Sequence, residues 1–90
     1  MFVVVAYDIA DDARRVKIAA TVRDYGDRVQ YSVFECVLEE VQLESLTREL
    51  TGIIDPEDSI RIYRLCEACR KEIKVHGKGK PAEDPSVYVV

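Results

Sequence analysis

The sequence contains few cysteines, a single histidine and no long apolar run. It has three cysteines, an odd number that argues against a disulfide framework, and one histidine, which gives little support to a Ser-His-Asp or Cys-His catalytic group. No apolar run approaches the ~18 residues that a membrane-spanning helix needs. The apolar start of the chain has no basic stretch before it and no small-residue cleavage site after it. We therefore expect no signal peptide, no membrane partner and a cytoplasmic location.

What the chain does contain is enough for one small domain. Its 90 residues are 48% hydrophobic and 33% charged, which is a globular rather than a disordered composition. The net charge of −4 conceals an uneven distribution. Residues 31–60 carry one basic and eight acidic side chains, whereas residues 61–80 carry seven basic and two acidic ones. Because local patches decide polyanion binding, the acidic total does not exclude nucleic acid as a partner.

The apolar pattern of the first part of the chain predicts a strand followed by a helix. Residues 2–9 form a β-rich run that is short for a helix, and we expect this strand to be buried on both faces. Asp11 or Asp12 suits the N-cap of the helix. Gly26 suits the C′ position that ends it.

The remaining chain predicts three more strands and one more helix before a final apolar run. Residues 27–38 indicate extended chain, and a kink near Tyr31 and Ser32 would divide it into two strands. Residues 59–65 alternate as a half-buried strand does, and residues 86–90 form the final run. Between the extended chain that ends at residue 38 and the strand that begins at residue 59 lies an amphipathic helix, whose apolar face comprises Leu43, Leu46, Leu50 and Ile53.

The order β-α-β-β-α-β with a terminal strand is typical of the α+β ferredoxin-like sandwich. In that fold both helices cover one face of an antiparallel sheet, and the other face stays bare. A bare face and an unpaired C-terminal strand favour a homodimer. We therefore predict a single domain over residues 1–90. Within it, residues 76–90 would form a flexible loop and a strand that is exchanged or packed across the dimer.

Asp8 is the sharpest single candidate for chemistry. It ends an otherwise apolar strand, where we expect a partly desolvated carboxylate at the rim of the sheet. One interpretation is that it caps the following turn. The other is that it binds a hard cation, because Mg²⁺ is typically held by one or two carboxylates with water and substrate phosphate. One carboxylate per chain makes a sparse site, and a two-fold dimer would supply two.

Arg15 is the second anomaly, because it begins the predicted core-facing stripe of the first helix. The stripe continues through Ile18, Ala19, Val22 and Tyr25. One interpretation is that the Arg15 side chain reaches solvent and pairs with Asp11 or Asp12. The other is phosphate binding, to which the planar guanidinium is suited, and Arg28 at the start of the next strand could join it.

Cys66 and Cys69 form a Cys-x-x-Cys motif that indicates little by itself. A zinc site needs four ligands, and His76 and the distant Cys36 could complete it only if the fold happened to bring them there. A local structural pair is the alternative. His76 lies in a His-Gly-Lys-Gly-Lys run that lacks the spacing of a P-loop and is typical of a solvated surface loop.

Three segments of the chain together resemble a known family. They are Tyr7-Asp8-Ile9, then Asp11-Asp12 with Arg14-Arg15-x-Lys17, and then residues 26–35, which read Gly-Asp-Arg-Val-Gln-Tyr-Ser-Val-Phe-Glu. In these motifs the chain closely resembles the CRISPR-associated protein 2 family, which are small subunits of the CRISPR spacer-acquisition machinery. The length of the chain and its order of elements fit the same family.

The resemblance implies a ferredoxin-like homodimer whose C-terminal strand packs across to the partner. It implies a metal-dependent endonuclease, acting on single-stranded RNA or double-stranded DNA in spacer acquisition and antiviral defence, with Mg²⁺ or Mn²⁺ as cofactor. Other members act with a CRISPR integrase and hold incoming DNA, so a non-catalytic structural subunit is the alternative. A further alternative, which does not use the resemblance, is a ferredoxin-like small-ligand regulatory domain.

The resemblance also implies the residues of the site. The metal-binding aspartate of the family falls on Asp8. The residues matched to the family's functional positions are Asp8, Tyr7, Arg15, Lys17, Arg28 and Phe34. Lys17 stands where some members have arginine, which keeps the charge but loses the bidentate geometry. Ser32 matches the family in the same segment as Phe34.

Overall fold

The computed structural model describes residues 1–82, so the predicted terminal strand at 86–90 lies outside the described residues. The described part has four strands and three helices. In chain order they are β1 (Phe2–Asp8), α1 (Asp12–Arg23), β2 (Gly26–Gln30), β3 (Val33–Val37), α2 (Glu40–Thr51), β4 (Ser59–Leu65) and α3 (Glu67–Lys71). The predicted division of the extended segment at Tyr31 and Ser32 is confirmed, because both residues lie between β2 and β3.

The four strands form one antiparallel sheet with the order β2-β3-β1-β4. The core lies between one face of this sheet and the first two helices. It contains Val3, Val5 and Tyr7 of β1, Phe34 and Cys36 of β3, Ile18, Ala19 and Val22 of α1, and Leu43, Leu46 and Leu50 of α2. The predicted α+β ferredoxin-like fold is confirmed.

Strand β1 is covered along its length on one face, whereas on the other face only Phe2, at its start, is buried. Val3, Val5 and Tyr7 are buried under the helices, whereas Val4 and Ala6 are only partly buried. The expectation that this strand is buried on both faces is therefore wrong for a single chain. The physical reason is that α1 and α2 pack on the same side of the sheet, so alternate residues of β1 face away from the core.

Helix α1 begins where the sequence predicts. Asp11 is the N-cap, and its carboxylate accepts a hydrogen bond of 2.9 Å from the backbone N–H of Arg14. The helix ends at Arg23 with Asp24 as its C-cap, so the prediction that Gly26 terminates it is wrong.

Gly26 instead opens β2 in close contact with β3. A Cβ atom at this position would lie 2.4 Å from Cys36 Sγ and 2.5 Å from the Glu35 carbonyl oxygen. No side chain fits without moving the backbone of β3, so the glycine allows β2 and β3 to approach each other.

Helix α2 carries the predicted apolar stripe on its buried face. Leu43, Leu46 and Leu50 are buried, and the backbone N–H of Glu39 donates to Gln42 Oε1 at 2.8 Å at the start of the helix. Short helix α3 was not predicted from the polar sequence after Cys66. None of the helices within residues 1–82 has the length and apolar character that a bilayer crossing requires.

An ion-pair cluster ties the start of α1 to the loop before β4. The Arg14 guanidinium contacts Asp55 at 2.9 Å, Glu57 at 3.1 Å and Asp58 at 2.8 Å. The Asp58 side chain is fully buried and also accepts a hydrogen bond of 2.9 Å from the backbone N–H of Asp55. The bonds from Arg14 and from the Asp55 backbone lower the pKa of the Asp58 carboxyl below its ordinary value.

This lowered pKa makes the fold sensitive to acid. Because the folded-state pKa lies below the unfolded value of 3.8, Asp58 stabilises the fold above that value and stops doing so as the pH falls through the folded pKa. We expect Asp58→Asn to be less stable than the wild type in urea at neutral pH, and the difference to shrink as the pH falls below the unfolded value of 3.8. Arg23→Met is the control, because it changes an exposed arginine in the last turn of α1. Its stability relative to the wild type should not depend on pH in this range. A difference that is the same at both pH values would contradict the assignment.

Candidate active site at the end of strand β1

Asp8 is the last residue of β1 and is exposed. It lies opposite Ser59 of β4, whereas the pairing of β1 with β3 ends at Ala6 and Val33. With a neighbouring strand on one side only, the carboxylate is more exposed than the sequence predicts. Within residues 1–82 it accepts no hydrogen bond, so it does not cap the following turn, and Asp11 has that role instead.

Tyr7 precedes Asp8 and points to the other face of the sheet, into the core. Its hydroxyl donates to the Tyr31 carbonyl oxygen at 3.5 Å and accepts from the Arg28 guanidinium at 3.5 Å. Its ring stacks on Phe34, with 6.3 Å between the ring centroids. Tyr7 therefore links the buried core to the polar groups at the turn between β2 and β3.

The guanidinium group of Arg28 lies over two aromatic rings, those of Phe34 and Tyr31. Its guanidinium carbon is 5.6 Å from the centroid of the Phe34 ring and 5.7 Å from that of the Tyr31 ring. Phe34 is fully buried, so in this chain it supports Arg28 and Tyr7 and does not reach solvent. Because Arg28 itself is exposed, its charge is available to an anion.

Arg15 reaches the same region from α1. Its guanidinium donates to the carbonyl oxygens of Ile9 at 3.0 Å and Ala10 at 3.3 Å, and it forms an ion pair with Asp12. Hydrogen bonding to Asp12 and the neighbouring Tyr31 hydroxyl raise the pKa of Arg15 above its ordinary value. The interpretation that Arg15 pairs with a nearby aspartate is confirmed, and the pairing fixes the guanidinium beside the strand end.

Lys17 lies apart from the group formed by Tyr7, Arg15, Arg28 and Phe34. It is exposed on α1 two residues beyond Arg15, and residues two apart on a helix do not share a face. Tyr31 is the residue of this region that the sequence did not point to. It is 70% exposed, although Tyr7 bonds to its carbonyl oxygen and Arg28 lies over its ring. Its place between two polar residues at the break between β2 and β3 was the only sequence signal.

A second basic element approaches Arg28 from the end of the described chain. An open cavity of about 830 Å³ lies between β2 and the segment 73–82, and its lining includes Arg28, Lys74 and Lys78. Asp27 and Glu35 line it as well. The basic C-terminal segment therefore meets Arg28 and not Arg15, which is a point that the charge distribution alone left open.

Asp8, at the end of β1, has the right kind of ligand atom for a hard cation but has no cluster of further protein ligands around it within residues 1–82. Carboxylate oxygen is the ligand that Mg²⁺ and Mn²⁺ prefer. Within residues 1–82, no group of three or more histidine, cysteine or carboxylate side chains could hold a metal ion. Asp8 thus offers one protein ligand per chain. The zinc interpretation of Cys66 and Cys69 gains no support, because no third ligand lies near them in the described chain.

Known proteins are similar to this chain in sequence and in fold. The sequence model of CRISPR associated protein Cas2 matches residues 1–73. "CRISPR-associated endoribonuclease Cas2 3" of Chloroflexus aurantiacus is 44% identical over 100% of this chain and 98% of its own. "CRISPR-associated endonuclease Cas2 2" of Thermus thermophilus is 45% identical over 96% and 92%.

One solved structure extends the likeness to an assembly. A chain of a "Partial Cas6-RT-Cas1--Cas2 complex" has a TM-score of 0.80 and 26% identity, with 99% of this chain and 98% of that chain covered. The motif resemblance noted in the sequence is thereby confirmed. This chain belongs to the CRISPR associated protein Cas2 family.

Proposed function

We propose that the protein is a metal-dependent endonuclease that cuts phosphodiester bonds in RNA or DNA. The observation that carries the proposal is the exposed carboxylate of Asp8, which accepts no hydrogen bond within residues 1–82 and is next in sequence to a tyrosine that binds Arg28. The relatives named as an endoribonuclease and an endonuclease support the same reaction class. Asp8, Tyr7, Arg15, Arg28 and Phe34 are the proposed site.

The side chains of the proposed site divide the work. Arg28 and Arg15 bind phosphate oxygens, and their positive charge stabilises the charge that develops as the bond breaks. Tyr7 and Phe34 position Arg28 from below. Tyr31 offers an exposed ring on which a nucleobase can stack, with arginine on its flank.

Asp8 is the proposed ligand of Mg²⁺ or Mn²⁺. When bound, such a cation polarises a phosphodiester and lowers the pKa of a bound water. One carboxylate per chain is sparse, so we propose that a symmetric homodimer brings two Asp8 side chains to one site. The uncovered face of the sheet, which carries Val4 and Ala6, supports this pairing. Of residues 76–90, which we propose to cross to the partner subunit, residues 83–90 lie outside the described residues.

A second role, as an adaptor that holds DNA for a CRISPR integrase, is favoured by a specific observation. The fold matches a chain of an assembly that contains Cas1 together with Cas2. The basic cavity beside Arg28, with Lys74 and Lys78, supplies charge for a polyanion without any chemistry. We propose that spacer acquisition and antiviral defence in the cytoplasm are the setting for either role. A small-ligand regulatory domain gains no support, because the cavity is open and charged.

A cleavage assay of the wild-type protein tests the enzymatic proposal. The substrates are single-stranded RNA and double-stranded DNA, each with Mg²⁺, Mn²⁺ or EDTA. We expect cleavage of at least one substrate with metal and none with EDTA, because the proposed mechanism needs a bound cation to activate the attacking water. Cleavage that persists in EDTA would contradict a metal-dependent mechanism. Salt-sensitive binding with no cleavage under any condition would favour the adaptor role.

A further inference from the structure

The Cys66 and Cys69 pair takes no part in the proposed nucleic-acid chemistry. Both side chains are exposed where β4 ends and α3 begins. Cys66 is the N-cap of α3, and its Sγ accepts a hydrogen bond of 3.4 Å from the backbone N–H of Cys69. This bond places the Cys66 sulfur beside the backbone of the residue that carries the second thiol. The fold therefore holds the two thiol-bearing residues within one turn of each other, and both are exposed to solvent.

The two thiols are chemically unequal. The backbone and thiol hydrogen bonds from Cys69 stabilise a thiolate at Cys66 and lower its pKa below the ordinary value. The same contact with Cys66 raises the pKa of Cys69. One sulfur is thus suited to attack and the other keeps its proton, which is the division found in dithiol pairs that exchange with disulfides.

Cys36 provides an internal comparison. It is fully buried in the core, and burial raises the pKa of its thiol to about 11. A buried thiol with a raised pKa is inert toward disulfides. Reactivity at the exposed pair would therefore follow from its local geometry and not from the cysteine content of the chain.

We propose that Cys66 and Cys69 form a redox-active dithiol that exchanges with a low-molecular-weight disulfide such as oxidised glutathione. The Cys66 thiolate attacks one sulfur of that disulfide, forms a mixed disulfide and expels one thiolate, which takes up a proton. Cys69 then loses its proton to solvent, and its thiolate attacks Cys66 Sγ in the mixed disulfide. This step releases the second glutathione thiolate, which takes up a proton. The two protein thiols are oxidised to one disulfide, and the small disulfide is reduced to two thiols.

The position of the pair connects its redox state to the end of the chain. Arg70, in the helix that Cys66 caps, lies 5.8 Å from the centroid of the Phe2 ring and donates to the Ala82 carbonyl oxygen at 3.5 Å. The backbone N–H of Ala82 donates in turn to Glu35 at 3.0 Å. A disulfide would fix the first turn of α3, and α3 is the helix that holds residue 82 against the sheet.

The experiment treats the reduced full-length protein with oxidised glutathione in EDTA, stops the reaction with acid and maps adducts by intact and peptide mass. We expect the wild type to lose two hydrogens at Cys66 and Cys69 and to keep no glutathione. Cys69→Ser should accumulate a glutathione adduct on Cys66. Cys66→Ser should form its adduct on Cys69 at least about tenfold more slowly.

Three outcomes would overturn the proposal. In the first, the wild type stays reduced. In the second, the wild type keeps its glutathione adduct or forms a disulfide between two chains. In the third, the two single variants react with oxidised glutathione at equal rates. Circular dichroism of both variants checks that they are folded, and we expect them to be, since both replaced side chains are exposed. The readout does not involve nucleic acid, so its result stands apart from that of the cleavage assay.

Discussion

Asp8→Asn is expected to lower the rate of metal-dependent cleavage by about 10³-fold, which corresponds to the several kcal/mol that a bound metal ion supplies to a transition state. The amide keeps the size of the carboxylate but loses the charge that a hard cation requires. Within residues 1–82 the Asp8 carboxylate accepts no hydrogen bond, and the residue is exposed, so the fold is not expected to change. The measurement is the single-turnover rate of cleavage at saturating Mg²⁺.

The matched control for this variant is Asp24→Asn. Asp24 is also exposed, but it lies at the opposite end of α1 from the proposed site. We expect it to cleave at the wild-type rate. Equal rates for Asp8→Asn and the wild type would place the chemistry elsewhere. Because Arg15 and Arg28 are unchanged, nucleic-acid binding by Asp8→Asn should persist, and its persistence without cleavage separates chemistry from binding.

Phe34→Ala is expected to lower the free energy of unfolding by about 3–5 kcal/mol, the usual effect of removing a buried aromatic ring. Phe34 is fully buried, stacks on Tyr7 and supports the Arg28 guanidinium. The cavity left behind is bounded by strand and helix backbones that cannot readily close it. Urea unfolding followed by circular dichroism measures the loss.

Two further variants make the result for Phe34 specific. Tyr31→Ala removes an exposed ring beside the same arginine and should change stability by no more than about 0.5 kcal/mol. Phe34→Leu should remain folded, with a loss below about 1.5 kcal/mol. It should still weaken nucleic-acid binding, because Arg28 loses its aromatic support. A loss under about 1 kcal/mol for Phe34→Ala would mean that the core closes over the gap.

Part of the site was readable in the sequence, and part was not. Asp8 stood out because it ends an apolar run, and that placement is correct. Its exposure was misjudged, because the neighbours of a strand end depend on where the pairing with β3 stops. Lys17 was assigned to the site by motif, although the geometry of α1 directs it elsewhere. Tyr31 was predicted only as part of the break between two strands and was given no role in the site.

The sequence by itself determined the order of the first six elements, the buried stripe of α2 and the start of α1. These depend on periodicity and capping, which act between residues a few positions apart. Only the tertiary structure decided that Arg28 lies on Phe34, that Arg14 ties α1 to Asp58, and that Gly26 serves a close approach of strands. Those contacts join residues distant in the chain, and strand register with helix packing fixes them, so no local pattern encodes them.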